Sequence, residues 1–348
     1  FASVGDLMIR RPASQLADPE VQAVFDLLRN ADLAMGNMEG ELANIKEFDG
    51  PMNGFVGTHE VATDLKAMGI DMVNRAQNHL LDSEFAGMYS TNALLDEAGI
   101  IHAGSGKNLQ EAAAPAFYET TKGRAALVGT HAPIWPEHNR LAATPLIGNL
   151  GGRPGLNMLN YSETILVSQD QFDALEQVRE GFLLQRENYD NPRPFANASA
   201  STGINFPASS SGRNNPNYRT VRDGEIPGTV VYDMSDIDLN RILRNIRNAR
   251  QLGDFVIAAA HIHQSRSIVE TQHLSTRPPA FYEELARKAI DAGADAFVGT
   301  GVQTLRGIEI YNGKPIFYGL GEFFREAQWE LELALGIADA NSNRRMQQ

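Results

Sequence analysis

Short apolar runs that alternate with amphipathic stretches, several of them ending at a residue able to bind a metal, constrain this chain more than any other feature of it. Residues 1–5 read as a strand leading into Asp6, residues 33–38 as a strand leading into Glu39, and residues 72–76 as a strand followed by Asn78 and His79. The helix signals between them are local. Asp18 can accept the orphan N–H groups of a first turn and Pro19 suits the first helical position, so a helix is expected over 21–28. Thr58 opens a second, residues 83–98 form a third, and Asn108 with Glu111 makes a capping-box-like start for a short fourth. Strands and helices that take turns in this way build a layered α/β domain.

From 131 to 227 the rhythm weakens. Gly, Pro, Asn and Ser punctuate this span, only 169–186 looks helical, and 188–220 reads as long surface loops over a cleft. A single domain over 1–348 is therefore expected, with a loop-rich insertion at 131–227 and a C-terminal extension at 325–348. The α/β pattern resumes with a strand at 229–232, a helix capped by Ser235, a strand at 255–260, a helix at 279–292 and a strand at 296–299. Asn312-Gly313 then supplies the positive φ angles of a tight turn between strands at 307–311 and 314–318.

Composition narrows the partners. A chain of 348 residues with 43% hydrophobic content can bury a large core. The formal net charge of -13, with no basic cluster, excludes a nucleic-acid or anionic-membrane surface. Apolar runs such as 256–260 are of strand length, so no transmembrane segment is expected. The absence of cysteine removes disulfides, thiolate metal sites and cysteine nucleophiles. The chain opens at Phe1 and runs almost at once into an apolar strand, which fits a removed leader and gives the expectation of an exported, periplasmic or cell-envelope protein, a cytoplasmic one remaining an alternative.

The candidate ligands are Asp6, Glu39, Asn78, His79, His261 and His263. Carboxylate oxygen, amide oxygen and neutral imidazole together can hold one or two divalent ions such as Mn, Fe, Zn or Mg. His261 and His263, two residues apart, project to the same side of an extended segment and could ligate together or act as ligand and base. Taken alone, each has a plainer reading: a histidine past a strand is more often a hydrogen-bonded structural residue, Asp6 could cap a turn, and Asn78 could form one. Glu39 has the stronger claim, because Gly36 and Gly40 imply tight backbone where a carboxylate is presented. His131, at a strand end, is a second-tier candidate. His102 reads as a core residue, and His59, His138 and His273 as solvated.

The motifs as a set resemble one family. Gly5-Asp6-Leu7-Met8, Asn37-Met38-Glu39, Ala76-Gln77-Asn78-His79-Leu80-Leu81-Asp82, Ala292-Gly293-Ala294-Asp295 and Tyr318-Gly319-Leu320-Gly321-Glu322-Phe323 follow, in order, the pattern of the bacterial CapA, or poly-γ-glutamate capsule-synthesis, proteins. That family is similar to calcineurin-like metallophosphoesterases. The resemblance implies a four-layer α/β/β/α metallophosphoesterase-like two-sheet sandwich with inserted loops, and a metal site at strand ends. One departure stands out. Where the family reads Gly-His-x-Pro-His, this chain has Gly299-Thr300-Gly301-Val302-Gln303, so Thr300 and Gln303 stand in place of histidines.

Three functions follow as expectations. The first is a metal-dependent hydrolase of phosphoesters or amides, with His263 and His79 as the catalytic pair. The second is a metal-dependent peptide epimerase of the same family. The third is a non-catalytic envelope protein that binds a polymer or peptide at a degraded site. The expected partner is a small molecule, a peptide or an anionic polymer, the last met by an arginine group of Arg306, Arg10 and Arg11.

Overall fold

A computed structural model of the chain describes residues 1–134, 140–186, 217–267 and 274–326. These residues form a mixed α/β structure with two large sheets, three smaller ones and seven helices. The first large sheet uses β1 (Ala2–Met8), β2 (Ala34–Met38), β5 (Met72–Asn74), β6 (Ile101–Ala103) and β18 (Glu322–Arg325), in the order β18-β1-β2-β5-β6. All of its pairings are parallel. Its connections carry α1 (Pro19–Arg29), α2 (Glu60–Met68) and α3 (Glu84–Glu97), with the small pair β3 (Glu41–Ala43) and β4 (Val56–Thr58) between α1 and α2. A shorter pair, β7 (Ser105–Gly106) with β10 (Gly155–Leu156), and the helix α4 (Leu109–Ala113) lead on.

The second large sheet has the order β16-β17-β15-β14-β9-β8, from β8 (Ala116–Thr120), β9 (Gly123–His131), β14 (Phe255–His261), β15 (Ala296–Thr300), β16 (Ile308–Tyr311) and β17 (Lys314–Phe317). Its interior is parallel and its two edge strands are antiparallel. The helices α6 (Asp236–Leu252) and α7 (Ala280–Asp291) serve it.

Capping chemistry starts the helices where the sequence places it. The Asp18 side chain accepts from the N–H groups of Glu20 and Val21, Asn108 accepts from Glu111, and Ser235 accepts from Asp238. The helix read as opening at Thr58 begins instead at Glu60, behind His59, which makes no side-chain cap. The strand read as 72–76 stops at Asn74, because the Asn74 side chain takes both the N–H and the carbonyl of Ala76 and turns the chain. The Asn312-Gly313 turn has both φ angles positive, at 51° and 75°.

Within 131–227 the described residues hold more regular structure than loops alone. Besides α5 (Gln169–Arg186), β11 (Tyr161–Val167) lies between β12 (Asn217–Thr220) and β13 (Val230–Met234) in a three-stranded sheet. Of the 188–220 segment, only 217–220 lie among the described residues. At the other end Arg325 closes β18, and 327–348 lie outside the described residues. Among the described residues no helix is long and apolar enough to cross a membrane.

Three apolar clusters show how the elements meet. Met35, Met72 and Ala103 from the first sheet, with Leu33 just before β2, share one cluster with Leu127, Ile257, Ala259 and Val298 from the second. Phe25, Leu28, Leu65 and Leu95 from the first three helices pack with Leu7 and Val73 of the first sheet. Ile242, Ile246, Phe281 and Leu285 from α6 and α7 pack with Val128, Val256 and Phe297 of the second sheet, joined by Ile165 and Tyr232 of the smaller sheet. Gly129 permits close approach at the site end: a Cβ there would lie 2.2 Å from Oδ1 of Asn74 on the facing sheet. Gly129→Ala is expected to destabilise the fold by about 1–3 kcal/mol, read as a lower denaturant midpoint, and an unchanged midpoint would mean that the close approach is dispensable.

Candidate metal centre

Parallel strands deliver their C-terminal ends to one place, so side chains far apart in sequence converge there. His131, His261 and Thr300 lie side by side on β9, β14 and β15. Asp6, Asn37 and Asn74 lie side by side on β1, β2 and β5. Asp6 is not beyond its strand, as read from the sequence. It sits within β1 where the register shifts on both sides, an irregularity that re-aims a side chain. Glu39 follows β2 immediately, and Gly40 turns the chain behind it at φ 118°.

Glu39, His261 and His263 are all buried, and each offers one ligand atom within 4.8 Å of the others. His261 Nε2 lies 2.9 Å from His263 Nε2 and 3.7 Å from Glu39 Oε1. Asn78 Oδ1 joins them, 2.7 Å from His261 Nε2 and 3.2 Å from His263 Nε2. Burial, and after it the neighbouring Asp6 carboxylate, pushes the Glu39 carboxyl well above the usual carboxylate range. A cation would reverse that effect, and it would turn two imidazole nitrogens that face each other into co-ligands. Two imidazoles, one carboxylate and one amide oxygen, with no thiolate, fit a divalent Mn, Fe, Zn or Mg.

The other expected residues fall into place around this set. Asp6 Oδ1 accepts from the Asn37 amide at 2.8 Å and lies 3.6 Å from His261 Nδ1, while Oδ2 accepts from Gly301 N at 3.3 Å. Asp6 therefore stands behind His261. His79 stands on the open side, its side chain 31% exposed, with Nε2 3.7 Å from Glu39 Oε1 and Nδ1 2.7 Å from Asp82 Oδ2. His131 is buried, and its Nδ1 meets the His261 carbonyl at 2.8 Å. Thr300 is buried against His261, whereas Gln303 is exposed.

The arginines carry structural contacts. Arg306 is buried and donates to the carbonyls of Ser275 and Gln264. Arg10 lies over the Phe55 ring and donates to the carbonyl of Val56, and Arg11 pairs with Glu326. Of the remaining histidines, His102 lies in β6 beside Asp96 and His59 beside Glu60, and His138 and His273 lie outside the described residues. Asn37, Asn74 and Asp82 were not singled out from the sequence as site residues, although Asn37 and Asp82 stand inside the quoted motifs.

The loop that presents Asn78 and His79 is itself anchored. Glu41 Oε2 accepts from the backbone N–H of Ser83 at 2.6 Å, where α3 begins. Burial raises the Glu41 carboxyl to about 7, against the pull of the Ser83 bond and of Arg75.

The sequence model of the family described as "Bacterial capsule synthesis protein PGA_cap" matches residues 1–327. The chain belongs to this family. Two uncharacterized proteins of Sinorhizobium fredii (strain NBRC 101917 / NGR234), y4sH and y4uA, are each 36% identical over 330 residues, covering 93% of this chain. The chain spans 65% of the length of each of these relatives. The PGA biosynthesis protein CapA of Bacillus subtilis (strain 168) is 36% identical over 84 residues, covering 24% of this chain and 20% of its own length. The capsule-synthesis family match spans every strand that brings a residue to the centre.

The Glu41 shift fixes a sign. A carboxyl that holds its proton more tightly when folded stabilises most below its ordinary value of 4.5, and that stability drains as pH rises through about 7. Glu41→Gln keeps an acceptor for Ser83 without the charge. Thermal unfolding is expected to show the variant ahead of the parent by up to about 3 kcal/mol at pH 8, with no advantage at pH 4; an equal difference at both pH values would refute this account.

Proposed function

We propose that this chain is a metal-dependent hydrolase acting on a phosphoester or an amide. The observation that carries the reading is the buried meeting of Glu39, His261 and His263 within 4.8 Å, at the ends of parallel strands, in a member of the capsule-synthesis family. Glu39, His261, His263 and Asn78 would hold the ion. When bound, a divalent cation supplies Lewis acidity there, polarising a substrate oxygen and making water easier to deprotonate.

The chain's own residues supply the remaining parts. Asp82 accepts the Nδ1 proton of His79, which leaves Nε2 free to receive a proton from attacking water or to return one to a leaving group. Partial exposure puts His79 where substrate can reach it, while Glu39 and His261 stay out of bulk water. His263 serves here as a ligand, with His79 as the proton carrier. The same reading takes the layers in the order helix, sheet, sheet, helix, supported by one apolar cluster between the large sheets and one on each outer side.

Metal analysis of the purified protein by mass spectrometry, beside turnover of a panel of chromogenic phosphoesters and peptide amides, tests the reading. The protein is expected to carry stoichiometric divalent metal and to turn over at least one class. His79→Gln is expected to lower kcat by roughly 10²–10⁴ with metal content intact, and His261→Ala to lose both. Failure to take up Mn²⁺ or Zn²⁺ would sink the hydrolase and leave a polymer- or peptide-binding role.

A further inference from the structure

His261 can hold a cation through Nε2 only when its ring proton sits on Nδ1, and the surroundings of Nδ1 decide whether that form is available. Three groups approach it: Thr300 Oγ1 at 3.0 Å, the Asn37 amide nitrogen at 3.0 Å and Asp6 Oδ1 at 3.6 Å.

The backbone settles which atom Asn37 presents. The N–H of Ala76 can only donate, so the Asn74 atom it meets at 3.1 Å is oxygen, and the other Asn74 atom, 3.1 Å from the Ala76 carbonyl, is the amide nitrogen. That nitrogen donates to Asn37 at 2.8 Å, so the Asn37 atom it meets is oxygen. The Asn37 nitrogen therefore faces Asp6 and His261 as a donor.

A donor at Nδ1 favours the wrong tautomer. With Nδ1 accepting from Asn37, the proton moves to Nε2, where Asn78 Oδ1 waits at 2.7 Å, and Nε2 has no lone pair left for a metal. The ligating tautomer needs an acceptor for Nδ1–H within hydrogen-bond distance. Thr300 Oγ1 fills that need, since a hydroxyl accepts as readily as it donates. The register of β14 and β15, which pairs His261 with Thr300, holds it there.

We propose that Thr300 is a positioning residue that makes the metal-ligating tautomer of His261 available by accepting the hydrogen bond of its Nδ1–H. This rests on the reading that His261 ligates a cation through Nε2, and it gives a role to the residue at which the chain departs from the two-histidine motif. Thr300→Val removes the hydroxyl at nearly constant shape, and Thr300→Ser restores it.

Titration calorimetry with Zn²⁺, and ¹⁵N–¹H correlation spectra of the histidine rings with and without Zn²⁺, test it on the full chain. Thr300→Val is expected to weaken Zn²⁺ binding roughly 10–100-fold, with thermal unfolding of the metal-free protein confirming the fold. Thr300→Ser is expected to recover most of the affinity. The spectra are expected to place the His261 proton on Nδ1 in the Zn²⁺-loaded parent and on Nε2 in metal-free Thr300→Val. If the parent binds Zn²⁺ and His261→Ala does not, yet Thr300→Val binds as tightly as the parent, the role given to Thr300 falls and the metal centre stands. If the parent binds neither Zn²⁺ nor Mn²⁺, both fall. If Thr300→Val fails to fold, Thr300→Ser and the parent spectra decide: Nε2–H on His261 in the loaded parent, or loss of detectable Zn²⁺ binding in Thr300→Ser, overturns the inference.

Discussion

A chain of side-chain amides holds the two halves of the centre in relation to each other. It starts at the backbone of Ala76, passes through Asn74 and Asn37, and ends on Asp6, with the Asn37 amide nitrogen also 3.0 Å from His261 Nδ1. Its links belong to the five-stranded sheet, and its last amide lies against His261 of β14 in the six-stranded one, so the two sheets meet here at the strand ends. Every member is buried, and a buried polar chain is worth having only when its donors and acceptors match. Gly129, with no side chain to displace Asn74, is part of the same arrangement.

The electrostatics of the centre depend on what that chain fixes. Asp6 and Glu39 are both buried and close enough that Asp6 helps to raise the Glu39 carboxyl. Two carboxylates in such a place repel each other and lose their hydration, a combination that a protein retains where a cation or a proton compensates it. Asp6 is satisfied by the Asn37 amide and the Gly301 N–H, which leaves Glu39 as the carboxylate turned toward the imidazoles. The asymmetry between the two acids is thus a product of backbone and amide geometry rather than of residue type.

Much of this was legible in the sequence because strand ends and helix caps are local signals. Asp18, Asn108 and Ser235 cap helices where their chemistry predicts, and the motifs around Glu39, Asn78 and His261 lie at one end of parallel strands. The misses have non-local causes. Asp6 reads as the residue after a strand, because the irregularity that keeps β1 running to Met8 comes from pairing with two partners. β11 hides in a stretch bounded by Gly, Pro and Asn, and it becomes a strand by pairing with β12 and β13. Arg306 reads as a surface cation but is buried, since the carbonyls it serves, those of Ser275 and Gln264, come together only in the fold. Asn37 and Asn74 have no signature outside the tertiary structure: an asparagine in a strand is unremarkable until its neighbours are known.

Thr300 and Gln303, where the resemblance implies histidines, stand in a segment packed tightly against β14. Gly301 has φ 101°, and a Cβ there would lie 2.8 Å from the backbone nitrogen of Ile262, so the chain passes β14 closely at this point. That closeness brings the Gly301 N–H to Asp6 and, one residue earlier, the Thr300 hydroxyl to His261. Gly299 is equally tight, with room for no Cβ beside the Tyr282 hydroxyl and the carbonyls of Phe317 and Tyr318. Here a backbone N–H meets Asp6 and a hydroxyl meets His261, so this strand end contributes to the candidate centre through hydrogen bonds.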